Sequence, residues 1–410
     1  MRRQFSLLTG VILLACAGGQ SASSAAAPTE QRQRVQNLTP FDIGTCFPSR
    51  VDMGKTANEY TLQAAFRAAR PAINECLTDA RVQNGTTATK GKASMSIDSS
   101  GTNVSVTGDG LQPAATGCIE KAIRAQLEGV TAPAGGKPFT LEAPFEREAN
   151  TMVRMGLNEA SDVEGTIRLA VPQWCSCFES IKTQAPPSLS GSVTVTRVDP
   201  NKKSPDGGTP KAVTAAMQAS DPAAAAVATC VNQKIESLPL KSSSDQLVVP
   251  AQLFLLNSGG AAAMPATAAP QLQFAQLDVV RERRQAEAFA ALARRQSVAN
   301  KYDGQVQAYQ AAASSKDPKK RKTAGAMVKD LKSGCAGLVK ADEEYTKALE
   351  AEAGVEQEAV TLAQTLKAKD PSWADAEKAS GGALAETQKQ IDASKQLTTA
   401  NQKACPKEKF

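Results

Sequence analysis

The hydrophobic positions along the chain change period twice. In Lys90–Asp98, apolar side chains alternate at Ala93, Met95 and Ile97, and in Ser190–Asp199 at Val193, Val195 and Val198. A period of about two is that of strands with one buried face. Between these strands, apolar and small residues recur at helical spacing around Cys76, Cys118, Cys177 and Cys230. From residue 271 onward the spacing settles at three and four, and the apolar residues form a heptad-like seam. Its first segment carries Phe289, Leu292, Ala299, Tyr302, Val306 and Tyr309; the second carries Leu331, Cys335, Leu338, Tyr345, Leu349, Ala363 and Leu366; the third carries Trp373, Ala376, Leu384, Thr387, Ile391 and Leu397.

The strand-bearing half repeats itself. Val51-x-Met53-Gly54 recurs as Val153-x-Met155-Gly156. The run Phe66-Arg67-x-Ala69-x-Pro71 leading to Cys76-Leu77 recurs, displaced by 101 residues, as Ile167-Arg168-x-Ala170-x-Pro172 leading to Cys177-Phe178. Cys118-Ile119 with Ile123 recurs as Cys230-Val231 with Ile235, each cysteine following a Pro-Ala-Ala run. Each copy predicts a helix bearing the first cysteine, a hairpin, a second helix and a closing strand. The hairpins are Lys90–Asp98 with Thr102–Thr107, and Ser190–Asp199 with Lys211–Gln218; the closing strands are Pro138–Phe145 and Gln246–Leu256. The expected fold class is α+β, two β-α-β-β-α-β modules over residues 41–148 and 149–256. A linker of Gly, Ala and Pro over 257–270 follows, and then an all-α antiparallel three-helix coiled coil over 271–410.

Asp317-Pro318 and Asp370-Pro371 are helix-start signals that divide the last region near 271–315, 318–369 and 371–405. Cys335 and Cys405 lie equally far from Asp370, so an antiparallel hairpin turning there brings them together. Gly381-Gly382 is a candidate weak point. The repeat pairs Cys76 with Cys118 and Cys177 with Cys230. Cys46 and Cys175 have no repeat counterparts; elimination leaves them for each other, a pairing the pattern itself does not fix.

Arg2 and Arg3 precede a short apolar run, Phe5–Leu14, too short to span a bilayer. Leu13-Leu14-Ala15-Cys16 resembles the bacterial lipobox, which implies a signal peptide over 1–15, acylation of Cys16, and a membrane anchor with a flexible tether over 16–40. Ala17 in place of Asp implies the outer membrane, with the side open. Ordinary secretion with cleavage near Ala25-Ala26-Ala27 is the alternative. Once Cys16 is set apart, eight of the nine cysteines remain, an even number that fits a disulfide framework in an oxidising compartment.

The 410 residues contain no histidine, which removes the commonest general base, the commonest metal ligand and every Ser-His or Cys-His nucleophile pair. Aromatics are 4% and the net charge is +6 with both signs interspersed, so no nucleic-acid footprint is present. No phosphate-binding or nucleophile-elbow motif occurs. The expectation is a protein that is no enzyme, with no catalytic residue, cofactor or metal. Trp174-Cys175-Ser176-Cys177 carries the competing reading, a periplasmic thiol-disulfide oxidoreductase or isomerase using a C-x-C dithiol. Lys319-Lys320-Arg321-Lys322 is a basic run that reads either as a solvated helix start or as a contact for anionic lipid, polysaccharide or an acidic partner. A third reading places a glycan or small ligand between the modules.

The repeat unit looks like the TonB C-terminal-like modules of envelope and motility proteins in myxobacteria and their relatives. The residues that carry this are Cys76-Leu77, the hairpin around Ser99-Ser100-Gly101, then Leu111, Pro113, Cys118-Ile119, and Gly135-Gly136-Lys137-Pro138 leading to Ala143-Pro144-Phe145. The second copy keeps only Pro250 and Phe254 of that ending. The resemblance covers about half the chain. It implies a non-catalytic module that binds protein segments by adding a strand to a sheet edge. Together these features point to an envelope adaptor whose partners are other envelope proteins or the cell wall.

Overall fold

The computed structural model describes residues 40–48, 50–78, 89–133, 138–147, 160–197, 212–240, 245–264 and 268–405. The signal peptide, Cys16, the tether, and the second Val-x-Met-Gly copy at 153–156 lie outside the described residues. Among the described residues no helix is long and apolar enough to cross a membrane.

The first body begins with α1 (Thr61–Thr78), which carries Pro71 inside it and Cys76 near its end. The hairpin β2 (Thr89–Asp98) and β3 (Gly101–Asp109) follows, then α2 (Pro113–Leu127) and β4 (Phe139–Arg147). Asp98 accepts the backbone N–H of Ser100, and Gly101 takes φ +125°, so the turn needs both residue types where they stand. The sheet order is β3-β2-β4, all antiparallel, with β2 at the centre. The alternating residues Ala93, Met95 and Ile97 face Ile119 and Ile123 of α2 and Ile73 and Leu77 of α1 in one core.

The second body runs α3 (Ala160–Ala170), β5 (Leu189–Thr196), the short β6 (Val213–Ala215) and β7 (Gln218–Ala219), α4 (Ala225–Glu236), β8 (Gln246–Leu253) and β9 (Leu255–Leu256). Here β5 is central, flanked by β6 and β7 on one side and β8 on the other. The helix that carries Cys76 in the first body has no continuous equivalent. After Ala170 the chain passes Pro172 and continues as two 3-10 segments, Val171–Gln173 and Cys175–Ile181, so Cys177 sits on a 3-10 turn.

Two expectations are corrected at the junction. The leading strand expected for the first module belongs elsewhere: β1 (Phe41–Asp42) pairs in parallel with β9, and Phe41 and Ile43 are buried in the second core. The boundary set at residue 41 therefore moves past Phe47. The apolar pair Phe41 and Ile43 is buried in the same core as Phe178, whose ring lies 6.0 Å from that of Phe41. The stretch 257–270 is also no free linker at its start. Asn257 and Ser258 are buried, and the Asn257 side-chain amide donates to the carbonyls of Ile181, Lys182 and Gln184 at 2.9–3.1 Å. Those carbonyls lie at and just past the end of a 3-10 segment, where intrahelical donors run out; Ile181 also accepts the backbone N–H of Gln184. Gln276 closes the arrangement by accepting from the Asn257 backbone N–H and donating to its carbonyl.

The last body is helical. α5 (Pro270–Ala313) is 44 residues long, α6 (Pro318–Lys367) is 50 and α7 (Ala374–Ala404) is 31. Asp317 and Asp370 accept backbone N–H groups as N-caps, each followed by proline. Phe274 stacks on Trp373 at one end, Ala288 meets Leu349 and Ile391 in the middle, and Tyr302 meets Leu331, Cys335 and Leu338 at the other. α7 runs unbroken through Gly381-Gly382, whose absent side chains face open space.

The seam holds more polar side chains than the apolar pattern showed. Ser380, Thr387, Ser394 and Thr398 of α7 are buried, as are Asp342, Thr346, Glu352 and Glu356 of α6. Phe289, expected in the seam, instead turns to the first body. It packs with Ala286 and Ala290 against that core, under the guanidinium of Arg67 at 4.7 Å.

Candidate docking arm and junction cleft

The eight cysteines form four bonds: Cys46–Cys175, Cys76–Cys118, Cys177–Cys230 and Cys335–Cys405. These are the same partners as the repeat, the elimination and the hairpin geometry indicated. Cys76–Cys118 joins α1 to α2, and Cys177–Cys230 joins the 3-10 segment to α4. Cys46–Cys175 ties the turn after β1 to the second body. The neighbours Cys175 and Cys177 thus point to different partners, and Trp174 between the two segments is buried. The dithiol reading has no Cys175–Cys177 bond to rest on.

α5 holds the first body by several contacts. Asn58 donates to the Ala293 carbonyl at 2.6 Å and to Ser297, Arg67 donates to Gln285 at 2.7 Å, and Arg70 pairs with Glu282 at 3.2 Å. Asn58 is itself buried. The chain therefore folds back: the third body, last in sequence, lies against the first. From that footing the arm continues to the Ala313–Pro318 turn. Beyond the level of the Cys335–Cys405 bond, the described part of the arm is α5 and α6 alone, about 25 Å of two-helix hairpin at 1.5 Å per residue.

Inside the bundle, Asp342 binds all three helices together. It accepts from Arg295 of α5 at 2.7 Å and from Asn401 of α7 at 2.6 Å, while Thr346 and Ser394 share a hydrogen bond at 2.7 Å. One helical layer further, Glu352 and Glu356 lie one turn apart on α6. Burial, and then the neighbouring Glu356 charge, push the Glu352 carboxyl up to about 7, despite the hydrogen bond from Gln285. Burial also raises Glu356, against a hydrogen bond from Thr387 and the charge of Arg281. One oxygen of Glu356 has no hydrogen-bond partner.

A cleft of about 430 Å³ opens where the bodies meet. The turn after β1, the outer faces of α1 and α2, Pro172 with Cys175, and Ser258-Gly259 form its walls, which are mainly apolar. Arg67, Lys121 and Arg283 stand at it against the single acid Glu75. Arg283 is held by Glu287 at 3.0 Å. Such a site suits an apolar group with a carboxylate at its mouth. The pattern of periods could not show it, because its walls come from six separate stretches of chain. Among the described residues no three His, Cys, Asp or Glu side chains converge as a metal set.

Comparisons with protein-family models, with curated proteins and with solved structures returned no match.

Proposed function

We propose that this chain is a non-catalytic scaffold of a bacterial cell envelope, anchored by acylated Cys16 in the outer membrane, that holds other envelope proteins at a fixed distance from its anchor. The observation that carries this reading is the seating of α5 on the first body. A single helix of 44 residues, about 66 Å long, is clamped along its middle and cannot swing freely. A spacer, and not a catalyst, needs that stiffness.

The two α+β bodies fit a duplicated module. In both, the first hairpin strand is central and the last strand pairs with it antiparallel. Gly91 and Gly191 occupy the same register, since Lys92 faces Pro144 and Ser192 faces Pro250. Each glycine is needed: a Cβ would strike the Phe145 ring at Gly91 and the Ala216 carbonyl at Gly191. The likeness to TonB C-terminal-like modules implies strand addition. Pro144 and Pro250 blunt the edges made by β4 and β8; on the β3 edge of the first body Glu120 and Arg124 of α2 meet the Val106 N–H and the Val104 and Thr102 carbonyls, so a strand added there would have to displace those two side chains.

Photo-crosslinking residues placed at Gln307 and Thr323 on the arm, and at Ser105 on β3, test the reading in intact cells. A defined set of envelope proteins captured through any of the three positions supports it. A protein that captures none, or many clients through mixed disulfides, sinks it.

A second reading rests on the junction cleft: binding of an amphipathic carboxylate with its chain against α1 and α2. A long-chain fatty acid raising the melting temperature of the intact protein, and failing to do so after Ala122→Trp fills the cleft, supports it; no shift with either protein rules it out.

A further inference from the structure

The charge of the molecule is gathered at one end. Residues 301–332 contain eight lysines and arginines against three acids, an excess of five, where the whole chain has an excess of six. Lys316, Lys319, Lys320, Arg321 and Lys322 are all exposed at the turn between α5 and α6. Among the described residues, none of these five makes an ion pair, although the rest of the arm is laced with them, as at Lys367–Glu377 and Lys395–Glu350.

Four of these cations occupy the first turns of α6, where the one acid beside them is the N-cap Asp317. That is the positive end of the helix dipole, where cations are disfavoured. Among the described residues a single carboxylate, Asp317, offsets the four cations, and local rules broken without full internal compensation mark functional positions.

We propose that the tip of the α5–α6 hairpin docks on an anionic phospholipid surface. Successive positions step about 100° around a helix axis, so Lys319, Lys320, Arg321 and Lys322 point to all sides. They make a blunt knob and no single reading face. A protein partner would need acids fixed on every side of that knob, whereas mobile headgroups gather around it without preformed geometry. The tip offers no exposed large apolar side chain for insertion, and the one such residue among those described, Val248, is elsewhere. The binding is therefore electrostatic and falls with salt. The tip also lies far from residue 41. β1 beside β9 brings residue 41 next to the start of α5, a full helix length from the Ala313–Pro318 turn. The inference extends the scaffold reading by naming what the far end of the spacer meets; partner capture and vesicle binding succeed or fail separately.

The test is co-sedimentation of the full chain carrying Cys16→Ser, so that no acyl chain contributes, with vesicles of phosphatidylcholine alone or with about one third phosphatidylglycerol. The expected result is binding to the anionic vesicles only. Each cation removed should weaken it roughly fivefold, so the variant K319Q/K320Q/R321Q/K322Q should bind about a hundredfold or more weakly. A control of equal charge loss, K347Q/K369Q/K378Q/K403Q, removes exposed bundle lysines and should bind like the parent. Circular dichroism establishes that both variants fold. No binding at low salt, or equal loss in the control, overturns the proposal. So does cluster-dependent binding of soluble polyglutamate by a protein that ignores vesicles, which would assign the tip to an acidic macromolecule instead.

Discussion

Asn257 shows how one side chain can hold a junction. Its amide serves three carbonyls of the second body while its backbone is held by Gln276 of α5. Truncation to alanine leaves the half-buried Lys182 and Gln184 carbonyls without this donor, while Ile181 keeps the Gln184 N–H, and each unserved buried group costs about 1–3 kcal/mol. Asn257→Ala should therefore lower the denaturant midpoint, with a loss of roughly 2–4 kcal/mol. Asn257→Asp should be worse, because a carboxylate would face the same carbonyls. Equal stability of Asn257→Ala and the parent in urea would show that water takes over the task.

Glu352 gives a pH dependence with a definite sign. Its carboxyl is raised to about 7 in the folded protein by burial and by Glu356, with Arg67, Arg281 and Gln285 also facing it. The unfolded chain releases this proton near the usual glutamate value, so between about pH 4.5 and 7 the native state holds the proton that the unfolded state has lost. Stability from this group is greatest at the acid side of that window and falls as pH rises through it. Glu352→Gln keeps a neutral side chain at all pH. Melting curves should show the variant matching the parent at pH 5 and exceeding it at pH 8, by on the order of 2 kcal/mol. A gain of the same size at both pH values would disprove the titration.

At the scale of elements, legibility followed the source of the stabilisation. The hairpins and the three long helices were readable because their periods express one buried face, as at Ala93, Met95 and Ile97. The Asp-Pro caps were readable because capping is local. β1 was not, since two residues have no period and its partner β9 is more than two hundred residues away. The 3-10 segments after Pro172 were hidden by the very repeat that revealed the module: the same Pro sits inside a continuous helix at Pro71. The hydroxyls of α7 at 380, 387 and 394 recur every seven residues, yet serine and threonine count as surface in an apolar tally. The heptad spacing was the available signal. Such a seam, poor in large apolar groups, leans on its covalent bond. Cys335→Ser with Cys405→Ser should leave the modules unaffected and speed hydrogen exchange in the ends of α6 and α7 near that bond. Unchanged protection there would show that Asp342 and its partners suffice.

Across the whole molecule, the order of bodies in space differs from their order in sequence. The N-terminal segment serves the second body, and the last body serves the first. Periodicity assigns each piece a type but no address, because the groups that join pieces are single polar residues such as Asn58 and Asn257. The junction cleft and the seating of α5 both arise from this interlacing.

The Cys46–Cys175 bond has a mechanical meaning when the protein is pulled between its tether and its arm. The first body lies wholly within the loop that this bond closes, 129 residues in sequence separation. Tension entering at residue 41 passes through the sulfurs into the second body and so bypasses the first. In an optical trap, unfolding from the two ends should release no length from that loop until a reductant is added. Then roughly 450 Å of further extension should come from that loop, at about 3.5 Å per residue, in addition to the lengths freed by opening Cys177–Cys230 and Cys335–Cys405. A strut under load would thus keep one body intact while its neighbours give way.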